Sequence, residues 1–291
     1  MRIATWNVNS LPARLERVQG WIERAAPDVL LLQETKLSDA SAPHAFFEGL
    51  GYRFAHHGQG RWNGVAIASR VGLEDVVVRF GEPPAAAVEL EGEEQVDPMG
   101  EARMIAARCG GVRVASLYVP NGRALDTPHY RGKLAWLARL GRWVEETARP
   151  DEPLVLGGDF NVAPSDLDVW DPAQLVGGTH VSEPERAAIS RLLDWGLVDL
   201  YRLRHPEGER YSWWDYRAGM FHKNYGMRID FLFGTAPIAA RCVGSEIDRE
   251  ARKGKPTPSD HAPVVADLDG PGVAFDAGWG AEGRFEKRRG K

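Results

Sequence analysis

Asn7 and Asn9 follow the apolar run RIATW, Glu34 closes VLLLQE, and Tyr118 and Asn121 close VASLYVPN. Asp159 and Asn161 follow LVLGG, Asp230 sits at the start of RIDFLF, and Asp260 and His261 precede APVVADL. Taken singly, an Asp or Asn at a strand end is most often a turn former. Together, strand ends of this kind shift the balance toward catalysis, because polar ends of packed strands can converge in one cleft. Carboxylate and amide oxygens without thiols suit a hard cation such as Mg²⁺ or Mn²⁺. Such a cation polarises a phosphoryl oxygen or stabilises a leaving oxyanion. The sequence has no GxxxxGK[ST] loop and no GxSxG elbow, and GxGxxG is absent at the first strand. A P-loop nucleotidase, an α/β-hydrolase and a Rossmann oxidoreductase are therefore unsupported. Gly157-Gly158, before Asp159, reads as a tight-turn signal.

The elements that must carry these residues are mixed. Strands are predicted at Arg2–Trp6, Val29–Gln33, Gly64–Ser69, Val76–Phe80, Met104–Arg108, Val112–Val119, Leu154–Leu156, Tyr211–Trp214, Ile229–Phe233 and Ala262–Leu268, mostly β-branched or aromatic-rich and bounded by Gly, Pro or Asn. Helical spacing of apolar residues predicts helices over Arg14–Ala25, His129–Glu146 and Glu183–Trp195. No internal repeat or linker interrupts 1–268, which reads as one α/β domain with β layers inside and helices outside. Residues 81–102 read as a long surface excursion, and 269–291 as a basic, Gly-rich, flexible tail.

Composition narrows the class. At 43% hydrophobic and 26% charged, the chain is an ordinary globular one. No apolar run is long enough to span a membrane, and MRIATWNVNS lacks the apolar core of a secretory signal. Cys109 and Cys242 form no CxxC pair, which excludes a disulfide framework and a cysteine-rich zinc site. A cytoplasmic protein with reduced thiols is expected. The net charge of −5 excludes a uniformly basic DNA-coating protein. The charges are uneven, however. Between Asp151 and Glu185 there are eight acidic residues and no Lys or Arg, while 202–228 and 249–255 are basic. Solvated loops would account for either run. The alternative is an acidic, metal-attracting pocket rimmed by basic loops that hold a polyanion.

ATWNVNSL (4–11), PDVLLLQETK (27–36), NGVAIASR (63–70), LYVPNG (117–122), GGDFNVAP (157–164), YSWWDYR (211–217), RIDFLF (228–233) and PSDHAPV (258–264) occur in this order. The set strongly resembles the exonuclease III family of abasic-site endonucleases, within the endonuclease/exonuclease/phosphatase superfamily. WNGVAIASRVGL, YVPNGRALD and VSEPER look closest to the bacterial, actinobacterial-type branch. The resemblance implies a deoxyribonuclease I-like four-layer α/β sandwich, two packed mixed β-sheets flanked by helices. It implies Glu34 as the central metal ligand with Asn7 beside it and Asp260 reaching the same ion. Asp159 matches the general base, Asn161 the group that orients the attacking water, and His261 the phosphate ligand, with Asp230 fixing its tautomer. Tyr118 would donate to the phosphate. A second metal position would involve Asp159, Asn161 and His261.

For the substrate, the resemblance implies duplex DNA with abasic sites or blocked 3′ ends. Trp213, Met227 and Ile229 would line an apolar pocket for a sugar lacking its base, selecting damage by shape. Asn121, Arg123 and Arg217 are the expected DNA-side contacts, with the basic stretches holding phosphates. The activity implied is Mg²⁺-dependent hydrolysis 5′ to abasic sites, with 3′–5′ exonuclease and 3′-end cleaning, by a monomer acting at the nucleoid. Two other classes compete. One is a phosphatase of the same superfamily acting on inositol phosphates or lipids. The other is a non-catalytic binding protein, which the complete set of Asn7, Glu34, Asp159, Asn161, Asp230, Asp260 and His261 argues against.

Overall fold

The computed structural model describes residues 1–81 and 97–280. Most of the acidic excursion and the basic end of the tail therefore lie outside the described residues.

Two six-stranded mixed sheets form the centre. In the first, Cys242–Ile247 (β11), Val264–Leu268 (β12), Arg2–Asn7 (β1), Val29–Gln33 (β2), Val65–Ser69 (β4) and Arg53–His57 (β3) lie side by side in that order. In the second the order is Glu74–Val78 (β5), Met104–Cys109 (β6), Val112–Tyr118 (β7), Leu154–Asp159 (β8), Asp230–Thr235 (β10) and Leu197–Asp199 (β9). Three long helices cover the outer faces: α1 (Leu11–Ala25), α2 (Pro128–Thr147) and α3 (Glu183–Trp195).

Burial on both faces explains the near-continuous apolar runs VLLLQ and VAIAS, whose residues are all buried. Leu31, Ile67, Val114, Val155, Leu232 and Val264 fill the space between the sheets. Trp6, Leu30 and Leu32 pack outward on Val18, Trp21 and Ile22 of α1. Leu154, Leu156, Phe231 and Phe233 pack outward on Trp136, Leu140 and Trp143 of α2 and Ile189 of α3. The result is the four-layer sandwich that the resemblance implied.

Several local expectations change. Gly157 and Gly158 lie inside β8, not in a turn. A Cβ on Gly157 would meet Leu31 Cδ1 of the opposite sheet at 2.5 Å, so the glycine allows the sheets to approach. A Cβ on Gly158 would stand 1.9 Å from the Leu117 carbonyl oxygen of β7, at φ +154°. Gly158→Ala is expected to lower the unfolding free energy by about 3 kcal/mol or more. A denaturant midpoint unchanged from wild type would contradict that. Tyr211–Trp214 forms no ladder strand, only bridges from Trp213 to Met227 and His261. The predicted strand at Val76–Phe80 begins at Glu74 and gives way to a 3₁₀ turn at Arg79.

The packed chain also continues past 268. Arg2 donates to the Val273 carbonyl at 2.7 Å, and Gly272 N–H donates to Asp267 Oδ2 at 2.9 Å. Phe275 lies under the Arg2 and Arg24 guanidinium groups, and Trp279 is buried, its Nε1 donating to the Ile247 carbonyl at 2.7 Å. Two aromatic anchors in a Gly-rich segment hold 271–280 against the first sheet. The excursion expected at 81–102 is likewise docked at its described end: Ala102 is buried and its carbonyl accepts from Gly64 N–H at 3.0 Å.

Candidate active site

Strand direction brings the polar ends to one edge. β1 and β2 run parallel, as do β7 and β8, while β12 and β10 run antiparallel to them. The C-terminal ends of the first four and the N-terminal ends of the other two therefore share an edge. Register then sets neighbours: Tyr118 pairs with Asp159, and Asp159 with Asp230. In the facing sheet Asn7 pairs with Gln33, immediately before Glu34.

The side chains form one continuous polar network. Asn7 Nδ2 donates to Glu34 Oε1 at 2.9 Å and to Asp159 Oδ2 at 3.0 Å, spanning the two sheets. Asp159 Oδ1 accepts from Asn161 N–H at 2.9 Å. His261 Nδ1 donates to Asp230 Oδ2 at 2.9 Å, while its Nε2 lies 3.7 Å from Asp159 Oδ2, an ion-pair separation too long for a hydrogen bond. Asn121 Nδ2 donates to Asn161 Oδ1 at 3.2 Å. Asp260 accepts from Asn9 Nδ2 at 2.9 Å and from Trp213 Nε1 at 3.1 Å. Ser259 closes the loop beneath them, donating to the Asn7 carbonyl at 2.7 Å and accepting from His261 N–H at 3.2 Å.

Backbone conformation marks the same residues. Glu34 and Asn161 are non-glycine residues in the left-handed region, at φ 52° and 50°. The first turns out of β2 and β8 are thus held in a costly conformation, and strain of this kind gathers at functional sites.

The electrostatics separate the acids. Burial pushes Asp159 up to about 7; His261 pulls it down, while Asp230 and Glu34 push it further up. Burial alone would lower His261, but Asp230 and Asp159 outweigh it and hold the imidazole at about 10, cationic at neutral pH. Asp260 is held below the ordinary carboxylate range: burial raises it, but His261 and the bonds from Trp213 and Asn9 prevail. Burial and the Glu34 carboxylate raise Tyr118 well above the ordinary phenol, so its hydroxyl keeps its proton.

Glu34, Asp159 and His261 offer ligand atoms that all lie within 4.8 Å of one another. The two carboxylates fit a divalent cation, while His261, cationic at neutral pH, would have to lose its proton to join them. Asn7 is oriented with its NH₂ toward both carboxylates, and its Oδ1 accepts from Asn9 N–H at 3.0 Å. Its NH₂ bridges the two acids across the sheets. Asp260 belongs to the Asn9–Trp213 side of the network. Because Asp159 holds a proton below about 7 in the metal-free protein, cation binding must displace it. Apparent affinity for a divalent cation is expected to rise about tenfold per pH unit below 7 and to flatten above. Calorimetric titration across pH, in buffers of different ionisation heat, checks both the slope and the released proton.

Trp213, Met227 and Ile229 come together as expected, in a small apolar cluster with Ala163 and Val169. Trp214 is a core residue. Arg123 is exposed on the turn after Asn121, whose Oδ1 accepts from its N–H at 3.1 Å. Arg217 is exposed but paired with Asp215.

Three features escaped the sequence reading. Lys36 Nζ bridges Glu34 Oε2 at 2.9 Å and Asn9 Oδ1 at 2.6 Å; its signal was its place two residues after Glu34. Trp62, 64% exposed beneath the Arg61 guanidinium, lies on a loop tied to Glu34's turn by Lys36 N–H to the Asn63 carbonyl at 2.9 Å. Arg228, between Met227 and Ile229, is fully buried and bonds Asp168 at 2.7 Å and Asp199 at 2.6 Å. The charge runs also read differently in three dimensions. Arg202, Arg210 and Arg228 are paired with carboxylates, and Arg249 and Arg252 are buried among aromatic rings. Much of the basic sequence is therefore structural.

The sequence pattern of the endonuclease/exonuclease/phosphatase family matches residues 4–261. This chain belongs to that family. The protein is a nuclease-type hydrolase with the deoxyribonuclease I-like fold. Among relatives of this endonuclease/exonuclease/phosphatase protein, exodeoxyribonuclease III of Haemophilus influenzae is 33% identical over 277 residues, covering 92% of this chain and all of that one. An AP endonuclease from Archaeoglobus fulgidus superposes with a TM-score of 0.83 at 37% identity, covering 92% and 99% of the two chains. A 3′–5′ exonuclease from Neisseria meningitidis gives 0.83 at 40% identity, covering 92% and 100%.

Proposed function

We propose that this protein is a Mg²⁺-dependent DNA-repair phosphodiesterase that cuts duplex DNA 5′ to abasic sites. On this reading it also removes nucleotides and blocking groups from 3′ ends. The observation that carries the proposal is the Asp159–His261–Asp230 constellation, beside carboxylates that can hold a cation and joined through Asp260 and Trp213 to the apolar Met227–Ile229 cluster. Exodeoxyribonuclease and AP endonuclease relatives, and a Neisseria 3′ phosphatase solved with a DNA hairpin product, support this choice of substrate.

Asp159 takes a proton from a water held by the Asn161 amide. The water oxygen attacks phosphorus as the bond to O3′ of the preceding nucleotide breaks, leaving a 5′-phosphate on the abasic sugar and a 3′-oxyanion that takes a proton from solvent to become the 3′-hydroxyl. The His261 imidazolium, kept cationic by Asp230, balances charge on the phosphate, and the Tyr118 hydroxyl donates to it. A bound Mg²⁺ would supply further compensation for the phosphate and leaving oxygen, with Glu34 as its central ligand. Mn²⁺ has the same donor preference. The Trp213–Met227–Ile229 pocket admits a bare deoxyribose and excludes a nucleotide by size. Among the described residues, exposed Arg61, Trp62, Arg123, Lys223 and Lys255 are groups that can meet the duplex. A cytoplasmic enzyme working on the nucleoid as a monomer follows from this reading. Among the described residues no helix is long and apolar enough to cross a membrane.

The test is a labelled duplex with one tetrahydrofuran abasic analogue, incubated with Mg²⁺, with EDTA, and beside an undamaged control. The analogue cannot undergo β-elimination, so a Mg²⁺-dependent cut on its 5′ side is hydrolytic and expected. No incision by folded protein with either Mg²⁺ or Mn²⁺ would sink the abasic reading. Hydrolysis of a soluble inositol phosphate in its place would point to the phosphatase branch.

A further inference from the structure

One charged pair lies deep behind the site, outside the catalytic constellation. On α2, positions 130, 137, 140 and 144 form the buried face with Tyr130, Leu137, Leu140 and Val144. Lys133 falls on this same face and is fully buried. Its ammonium pairs with Glu185 of α3, which is also fully buried. A buried cation is expensive unless all its protons are used. Here its three protons are shared among four acceptors: besides Glu185, the Asn161 carbonyl at 2.6 Å, the Asn121 carbonyl at 3.2 Å and Thr179 Oγ1 at 3.3 Å.

Glu185 is equally committed. Its Oε1 accepts from Thr179 Oγ1 at 2.7 Å and from His180 N–H at 3.0 Å, and its Oε2 from Ser182 Oγ at 2.6 Å. The His180 ring bonds the Asn161 carbonyl as well, and Ala163 N–H donates to the His180 carbonyl at 2.7 Å. Three loops, those of Asn121, Asn161 and His180, thus meet on one ion pair. Packing α2 on α3 needs only an apolar contact at this place. The feature a helix–helix contact does not require is the bonding of Lys133 to the two asparagine carbonyls.

We propose that Lys133 is a positioning residue for hydrolysis: its ammonium fixes the backbone of Asn121 and Asn161, and so the placement of both asparagine side chains at the scissile phosphate. The inference rests on the reading of the site given above. Asn161 N–H bonds the general base, and Asn121 bonds Asn161. A shift of the Asn161 carbonyl therefore moves the water-orienting amide and the hydrogen bond to Asp159 together.

The test separates fold from placement. Lys133→Met leaves the Glu185 carboxylate buried without a counter-charge and should destabilise. The double variant Lys133→Met/Glu185→Leu replaces the pair with an apolar contact of similar volume, an exchange that is often neutral for stability. The double variant removes the uncompensated charge but also gives up the bonds from Thr179, His180 and Ser182 to Glu185, so it should melt below wild type and above Lys133→Met. Its kcat on the abasic duplex should still fall by about a hundredfold, as for a misplaced catalytic group. KM should move less than kcat does, because the duplex contacts away from the Asn121 loop are unchanged. Recovery of kcat to near wild type would overturn the proposal and leave the pair as a fold element only.

A second measurement needs no substrate. Amide exchange at Asn161, Ala163 and Arg123 should quicken in either variant more than exchange within α2 and α3. Unchanged exchange at those three amides would overturn the proposal, even if wild-type protein cut no abasic DNA, an outcome that would itself count only against the substrate reading. A double variant too unstable to assay is decided by Lys133→Arg. That cation keeps N–H donors, so its kcat should exceed that of Lys133→Met by about tenfold or more. Equal kcat in these two single variants would overturn the proposal.

Discussion

Asp159→Asn should lower kcat for strand incision by at least about a thousandfold, since a general base contributes on the order of 10² to 10⁴ and the carboxylate is also a candidate cation ligand. The amide is isosteric but accepts no proton from water. Its single carbonyl oxygen can accept from Asn161 N–H or from Asn7 Nδ2 but not from both, because these bonds end on different oxygens of Asp159. Stability should move the other way. The folded state raises Asp159 from its ordinary 3.8 to about 7, so between these values the folded protein binds a proton that the unfolded chain does not. Stability therefore falls as pH rises through that window, and above about 7 the full cost of a buried carboxylate remains. Asn removes that cost and leaves Asp230 to balance the His261 imidazolium. In metal-free buffer at pH 8 the variant should melt above wild type while being nearly inactive. Activity within about tenfold of wild type would remove Asp159 from the role of base. A lower melting temperature would show that the carboxylate is stabilised in ways that this electrostatic account misses.

The same carboxylate shows what the sequence makes visible. Asp159, Glu34, Asp230 and His261 stand out because each interrupts an apolar strand, and strand direction then gathers them without further information. The resemblance supplied their roles, and the geometry is consistent with those roles. Lys36 and Lys133 were missed for opposite reasons. Lys36 stands in a polar turn where a lysine is unremarked, and its contacts to Asn9 and Glu34 arise only when two strand ends meet. Lys133 stands on an apolar helix face where a lysine is anomalous, but its partner lies 52 residues away on another helix.

The overlooked strands follow the same logic. Arg53–His57 (RFAHH) and Cys242–Ile247 (CVGSEI) lie at the two ends of the first sheet, where fewer neighbours demand apolar side chains. Their sequences lack the continuous apolar run that marks the central strands. Trp213, by contrast, looked like strand and is not. The segment packs as a loop over the Met227–Ile229 cluster, held by single bridges and by the bond from Trp213 to Asp260. The basic stretches misled most, because charge counts do not show which arginines already have carboxylates.

Glu34→Gln tests the cation side of the site and should behave differently from Asp159→Asn. The substitution keeps Glu34's shape at a strained turn and preserves an oxygen for Asn7 Nδ2, but removes one of the two carboxylates in the candidate cation cluster. Loss of a ligand charge should weaken cation binding by about a hundredfold, and at low Mg²⁺ incision should fall by at least that factor. Raising the cation concentration should restore part of the rate, because the Asp159 carboxylate remains. Asp159→Asn should not be restored this way, because the missing group is a proton acceptor. A second consequence is local. Lys36 Nζ loses its anionic partner 2.9 Å away and keeps only Asn9, which in turn holds Asp260. Glu34→Gln should therefore also disturb the Asp260–Trp213 bond at the pocket, raising KM for abasic duplex by about threefold or more. Metal titrations of both variants on one substrate decide the matter. If Glu34→Gln resists rescue as fully as Asp159→Asn, Glu34 acts in the chemical step and not as a cation ligand alone.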